Sequence, residues 1–137
     1  MTPVKAINHI GIAVRSIDAL RPFYEGTLGA VFEGLEEVAD QKVRVGFFRI
    51  GDVRLELLEP TDPTSTVAAF LEKRGEGLHH VAYTVAGIEA RIAELKQAGL
   101  RMIDESPRPG AHHTRIAFVH PKSSFGVLTE LCEPAGK

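Results

Sequence analysis

The sequence predicts an α+β protein built from two copies of one βαβββ unit, at residues 5–60 and 77–134, joined by a short helical linker into a single domain. Two observations predict it. The hydrophobic pattern passes from strand to helix and back to strands in the same order in both halves, and two blocks of sequence recur. NHIGIAV at 8–14 lies over HHVAYTV at 79–85, and LELLEP at 55–60 lies over TELCEP at 129–134. His9 and His80 are 71 residues apart and Glu56 and Glu130 are 74 apart, a mismatch of a size that connecting loops absorb.

Residues 7–14 are apolar and partly β-branched, as a strand requires. Ser16 is an N-cap for a helix over 16–28, which Pro22 should shorten or kink and Gly29 should close. Strands follow at 30–37, 43–50 and 53–59, the last two joined by a tight Gly51-Asp52 hairpin. Residues 64–73 read as the connecting helix, entered after Pro60 and Pro63 and stopped by Gly75 and Gly77. In the second half, 78–85 reads as a strand and 88–98 as an amphipathic helix ended by Gly99. Three more strands are expected near 100–104, 114–119 and 126–132.

The 44% hydrophobic and 25% charged fractions argue against disorder and select no function. A net charge of -2 with scattered Lys and Arg leaves no basic footprint for a phosphate backbone, so nucleic acid is not an expected partner. No apolar run approaches a membrane span, and MTPVKAINH is not a charged region followed by an apolar leader. A cytoplasmic location without membrane contact is therefore expected. The one cysteine, Cys132, cannot form an internal disulfide, which fits a reducing compartment; its LTELCE setting is that of a core residue rather than a catalytic thiol.

Strand side chains alternate between faces. His9 therefore shares a face with Ile7, Gly11 and Ala13, while Ile10, Ile12 and Val14 turn toward a helix. His80 shares a face with Ala82 and Thr84, whereas His79 lies with Val81, Tyr83 and Val85. Small neighbours leave room beside His9 and His80. Glu56 and Glu130 interrupt apolar runs at positions where an unpaired carboxylate is costly to bury. Taken singly, a buried His is more often a hydrogen-bonded core residue than a ligand, and a strand Glu more often faces solvent. Two His and two Glu at matching places in a repeat favour a site. Two imidazoles and two carboxylates suit one divalent ion of cobalt, manganese, zinc, nickel or iron. An octahedral ion would keep two positions for a substrate that chelates through two oxygens, and would stabilise an enolate.

Further runs extend the pattern along almost the whole chain: HIGIAV at 9–14, FYEGTLGA at 23–30, RLELLEP at 54–60, FLEKRGEGLHHVAYTV at 70–85, PRPGAH at 107–112 and IAFVHPKSSFGVLTELCEP at 116–134. In these runs the sequence resembles the vicinal oxygen chelate superfamily (glyoxalase/bleomycin resistance/dioxygenase), and within it the methylmalonyl-CoA epimerase family. FLEKRGEGLHH, FVHPK and GVLTEL carry the epimerase resemblance. It implies paired βαβββ modules that form a curved mixed sheet around a central metal cleft, usually in a homodimer. Carried over by position, it implies His9, Glu56, His80 and Glu130 as metal ligands, although some members place Gln where Glu56 stands. It also implies an isomerase acting on a small acyl-CoA, which interconverts (2R)- and (2S)-methylmalonyl-CoA by proton removal and return through a metal-stabilised enolate. Glu130 is the expected proton-transfer residue.

Some epimerases carry a second proton-moving glutamate on the third strand, beyond a Glu-Gln-Gly-Val run. Here Asp40-Gln41-Lys42-Val43 stands there, and Val45 falls at that glutamate's position. The second proton route is then open between Glu130 itself, Glu37, Asp40 and a metal-bound water. Phe125, where a small residue is common, is expected to reshape the substrate mouth. His120 before Pro121 either orients a ligand or caps a turn. His112 and His113 are expected to be exposed in a Gly-rich loop. Lys122, Ser123 and Ser124 read as a solvated turn, with donation to a substrate carboxylate or coenzyme A phosphate as the alternative; Arg108 and Arg115 invite the same phosphate reading less strongly. The rival functions are a lactoylglutathione lyase-like isomerase and a non-catalytic small-molecule-binding protein. A ring-cleaving dioxygenase needs only three protein ligands and redox-active iron, so Glu56 opposes it.

Overall fold

In the computed structural model, which describes residues 2–135, the elements run β1 (Ala6–Ala13), α1 (Ile17–Arg21), β2 (Val31–Val38), β3 (Val43–Ile50), β4 (Val53–Pro60), α2 (Thr66–Arg74), β5 (Gly77–Thr84), α3 (Ile88–Gln97), β6 (Arg108–Pro109), β7 (Arg115–Val119) and β8 (Thr129–Glu133). The chain gathers into two units, His9–His79 and Met1–Asn8 with His80–Lys137. Among the described residues no helix is long and apolar enough to cross a membrane.

Within the unit His9–His79, β1 pairs in parallel with β4, and β4, β3 and β2 follow in antiparallel order. The Gly51-Asp52 hairpin forms as expected, with Gly51 at φ 58 between the paired Ile50 and Val53. One face of these strands packs Phe48 and Leu57 against Val14, Ile17 and Ala30, with Ile12 and Leu20 beside them. This is the apolar side of β1 turned toward α1. Gly46 belongs to that face because a Cβ there would stand 2.9 Å from Ile17 Cγ2.

Ser16 caps α1, its Oγ accepting the Ala19 N–H at 3.2 Å. The helix expected to reach residue 28 stops being α-helical at Arg21. Pro22 has no N–H to continue the ladder and its ring crowds the preceding turn. Residues Pro22–Thr27 wind instead as a π-helix, whose last bond runs from the Leu28 N–H to the Phe23 carbonyl at 3.0 Å. Gly29, at φ 73, then ends the segment.

The second unit repeats the parallel pair with β5 and β8, then continues antiparallel through β7 to β6. Its helix α3 buries Ile88 and Ile92 against Val85, Met102, Ala117, Val119 and Leu131. The strand expected near 100–104 is absent; only Met102 bridges to Val119. Ile103 and Asp104 both donate to the Phe118 carbonyl, at 2.8 and 3.3 Å, and the Asp104 carboxylate accepts the Phe118 N–H at 2.8 Å. A short acidic side chain thus occupies a ladder position, as Asp readily does. The short β6 pairs with β7 further on, at Arg108 and Pro109.

Candidate active site

Strand register brings His9 to Glu56. Gly11 on β1 pairs across from Glu56 on β4, and His9 lies two residues earlier on the same face. His9 Nδ1 sits 3.2 Å from Glu56 Oε2, and each residue is 5% exposed. On its other side Glu56 faces Phe47 of β3.

The second unit builds the same lattice. Ala82 on β5 pairs across from Glu130 on β8, and His80 lies two residues before Ala82. His80 Nε2 is 3.0 Å from Glu130 Oε1, both groups being buried. Glu130 faces Phe118 on its far side, and the Phe118 ring stands edge-on to the His80 imidazole at 5.4 Å. Ala82, Ile116, Phe118 and Cys132 form the apolar surround. In both units the residue directly across from the carboxylate is small, Gly11 or Ala82. That leaves the diagonal open for the imidazole to reach it.

The parity argument holds at the histidine doublet. His80 turns toward Glu130, whereas His79 packs edge-on against Phe70 of α2, with ring centroids 4.9 Å apart. A carboxylate that carries its charge in so buried a place calls for a compensating partner.

A second glutamate in each repeated block does different work, which inspection of the sequence missed. Glu59 lies three residues after Glu56, and the odd spacing turns it to the helix face, where Oε1 accepts the Ile17 N–H at 2.9 Å. Glu133, three after Glu130, accepts the Gly87 N–H at 2.6 Å and the Ile88 N–H at 3.5 Å. Each carboxylate satisfies orphan donors at the start of its unit's helix. The recurring Glu-Pro of LLEP and LCEP was the available signal.

The remaining candidates separate cleanly. Val45 is buried at 2% exposure, between Leu58 and Glu36 in the ladder. Glu37 is exposed and faces Arg44, and Asp40 is exposed in a single 3-10 turn. His120 caps a turn, its Nδ1 accepting the Lys122 N–H at 3.1 Å. Ser123 Oγ accepts the Arg101 N–H at 2.8 Å, and Ser124 Oγ donates to the Val127 carbonyl at 2.6 Å. Arg115 pairs with Glu89 and Glu133, and Arg108 with Asp104 at 3.1 Å. His112 and His113 are exposed as expected, both with positive φ.

The chain belongs to the Glyoxalase/Bleomycin resistance protein/Dioxygenase superfamily, whose family model matches residues 8–118. An uncharacterized protein of Bacillus subtilis is 48% identical over 95% of this chain and 93% of its own length. An ethylmalonyl-CoA/methylmalonyl-CoA epimerase of Cereibacter sphaeroides is 39% identical over 91% of this chain and 95% of its own. A solved methylmalonyl-CoA epimerase in complex with methylmalonyl-CoA and NH4+ superposes with a TM-score of 0.93 at 39% identity, covering 98% of this chain and 97% of that one. The fold is that of the vicinal oxygen chelate proteins, and the chain is an isomerase of the epimerase class, homologous to the methylmalonyl-CoA epimerases.

Proposed function

We propose that this protein interconverts (2R)- and (2S)-methylmalonyl-CoA, moving the proton on the carbon that lies between thioester and carboxylate. The observation that carries the reading is the buried imidazole–carboxylate pair built once in each unit, His9 with Glu56 and His80 with Glu130. Similarity to epimerases along almost the full chain supports the acyl-CoA as substrate. By the same resemblance we assign a homodimer, and the lone Cys132 supports the reducing cytoplasm as its location.

The residues fit a divalent cation. Two nitrogen and two oxygen donors match cobalt, manganese, zinc, nickel or iron, and a cation would offset the charge that each buried carboxylate carries. We assign it to His9, Glu56, His80 and Glu130. When bound, the ion would act as a Lewis acid toward the two substrate oxygens and lower the cost of forming the enolate.

The chain's own groups account for the proton. Glu130 takes it from, or returns it to, C2. Ala82, Phe118, Ile116 and Cys132 surround that carboxylate and exclude water, which strengthens electrostatics within the site. The 3.0 Å contact with His80 and the edge-on Phe118 fix its orientation.

The test is deuterium incorporation at C2 of methylmalonyl-CoA, with and without a chelator, beside a glutathione hemithioacetal control. Chelator-sensitive exchange on the CoA ester is expected. Its absence refutes the reading, and turnover of the control alone assigns a lactoylglutathione lyase-like activity instead.

A further inference from the structure

The repeat places an aromatic ring beside each buried carboxylate, Phe47 across from Glu56 and Phe118 across from Glu130. An arginine lies over each ring: the Arg54 guanidinium carbon stands 5.9 Å from the Phe47 centroid, and that of Arg108 stands 5.7 Å from Phe118. The two units then differ in charge. Arg108 is matched by Asp104 at 3.1 Å. In the unit His9–His79 a second arginine joins the first, and one acid serves both. Glu33, in the bulge of β2, takes Arg49 Nε at 2.8 Å and Arg54 Nε at 3.1 Å. Those bonds hold the Glu33 carboxyl below the usual range, so it is ionised, and the trio keeps one net positive charge.

Arg49 and Arg54 are direct partners in the β3–β4 ladder, and Arg54 is also the direct partner of His9 in the parallel β4–β1 pair. Both arginines therefore stand on the sheet face that bears His9 and Glu56. Like charges directly across a ladder destabilise it. Core packing does not call for them, since their side chains keep 45% and 33% of their surface in solvent. An anion bound to both guanidiniums would relieve the repulsion. Arg49 spends Nε on Glu33 and one terminal nitrogen on the Gly51 carbonyl at 3.3 Å, whereas Arg54 bonds Glu33 through Nε. The remaining terminal N–H groups are left for an outside acceptor, in the planar fork that suits phosphate oxygens.

Position selects the anion. Glu33 draws both guanidiniums toward β2, which lies three strands from β1, or about 14 Å at about 4.8 Å per strand. The substrate's own carboxylate and thioester oxygens are assigned to the cation, so neither is the ligand here. The pantetheine arm that separates the thioester of an acyl-CoA from its diphosphate is about as long as four extended residues, roughly 14 Å.

We infer that Arg49 and Arg54, oriented by Glu33, bind the diphosphate of the acyl-CoA; the inference rests on the proposed epimerisation. The arginine pair thereby selects a coenzyme A ester over a thioester that lacks the diphosphate.

The test is calorimetric binding to wild type, R49Q and R54Q of coenzyme A, 3′-dephospho-coenzyme A and pantetheine, each as its unreactive S-(2-carboxypropyl) thioether. Wild type should bind the first two with similar Kd and pantetheine more weakly. Each variant should weaken the first two by about 10–100-fold, the range of a charge-assisted hydrogen bond, and leave pantetheine binding as in wild type. KM for methylmalonyl-CoA should rise by the same factor, with kcat held to within a few-fold. If R54Q fails to fold, R49Q carries the same comparison. An unchanged Kd for the coenzyme A analogue in both variants overturns the subsite, and so does an equal loss on pantetheine, which would make the arginines a structural pair. Loss of the arginine effect with the 3′-dephospho analogue overturns the choice of the diphosphate. A wild type that neither binds the coenzyme A analogue nor exchanges the C2 proton overturns the epimerase reading and the subsite with it. An active wild type whose affinity ignores both substitutions overturns the subsite alone.

Discussion

His80 Nε2 stands 3.0 Å from Glu130 Oε1, and the Phe118 ring holds the imidazole edge-on from 5.4 Å. Both groups are buried, so neither samples alternative positions in water. Glu130→Gln keeps the volume and a hydrogen-bonding head but removes the basic oxygen. The variant should fold with a melting temperature within a few degrees of wild type while C2 exchange falls by about 10²–10⁴-fold. Undiminished exchange would remove Glu130 from the reaction.

Metal binding should appear as stability. A ligand that binds only the folded chain adds about 2.7 kcal/mol at a free concentration 100 times its Kd. Thermal melts with and without added cobalt or manganese should therefore differ for wild type, and a chelator should reverse the gain. His9→Ala and His80→Ala should each lose most of it. Elemental analysis should return one ion per chain, and an ion count of two would separate the pairs into independent sites.

Glu133 links the candidate site's strand to the helix behind it. Burial alone would raise its carboxyl pKa, but the Gly87 N–H, the Arg115 guanidinium and the Ile88 N–H together hold it below the ordinary carboxylate value. A carboxyl depressed in the folded state contributes fully above its unfolded pKa, about 4.3, and loses that contribution as pH falls through the folded value. Glu133→Gln should cost about 1–2 kcal/mol at pH 7. In urea titrations the gap to wild type should narrow below pH 4, whereas a constant gap would mean that packing rather than charge is lost.

Strand parity was enough to separate His80 from His79, because a two-residue period has only two outcomes and one of them placed His80 beside small residues. What parity could not supply was register. Pairing Gly11 with Glu56, and Ala82 with Glu130, depends on how parallel strands slide, and that is set by packing across the whole unit. Residues 100–104 failed for a different reason, since their apolar pattern fits a strand but the Asp104 carboxylate takes the Phe118 N–H. Pro22 was read correctly as a break, although the switch to π winding depends on how Leu28 and Ala30 find the carbonyls of Phe23 and Tyr24.

Gly46 shows how closely α1 approaches β3. Its conformation is open to any residue, so the constraint is steric: a Cβ would meet Ile17 Cγ2 at 2.9 Å and the Phe48 ring at 3.4 Å. Ile17 and Phe48 are fully buried and cannot swing away. Gly46→Ala should cost about 1–3 kcal/mol by overpacking, read as a lower urea midpoint. Pairing it with Ile17→Val should recover part of the loss, because that change removes one methyl group from the crowded cluster.

Phe125 occupies a left-handed conformation, φ 59, and is 98% exposed. The turn around it is tied by the Gly126 N–H to the Pro121 carbonyl at 2.8 Å and by Ser124 Oγ to the Val127 carbonyl. Its backbone is therefore held where a bulky side chain is disfavoured by about 1–2 kcal/mol. Asn tolerates that region, and an exposed ring has little buried area to lose. Phe125→Asn should raise stability by about 0.5–1 kcal/mol, a shift of a few degrees in melting temperature. If the ring also shapes the substrate mouth, the same variant should change KM for the acyl-CoA while kcat holds. A lower melting temperature would show that the ring contributes packing in the folded protein.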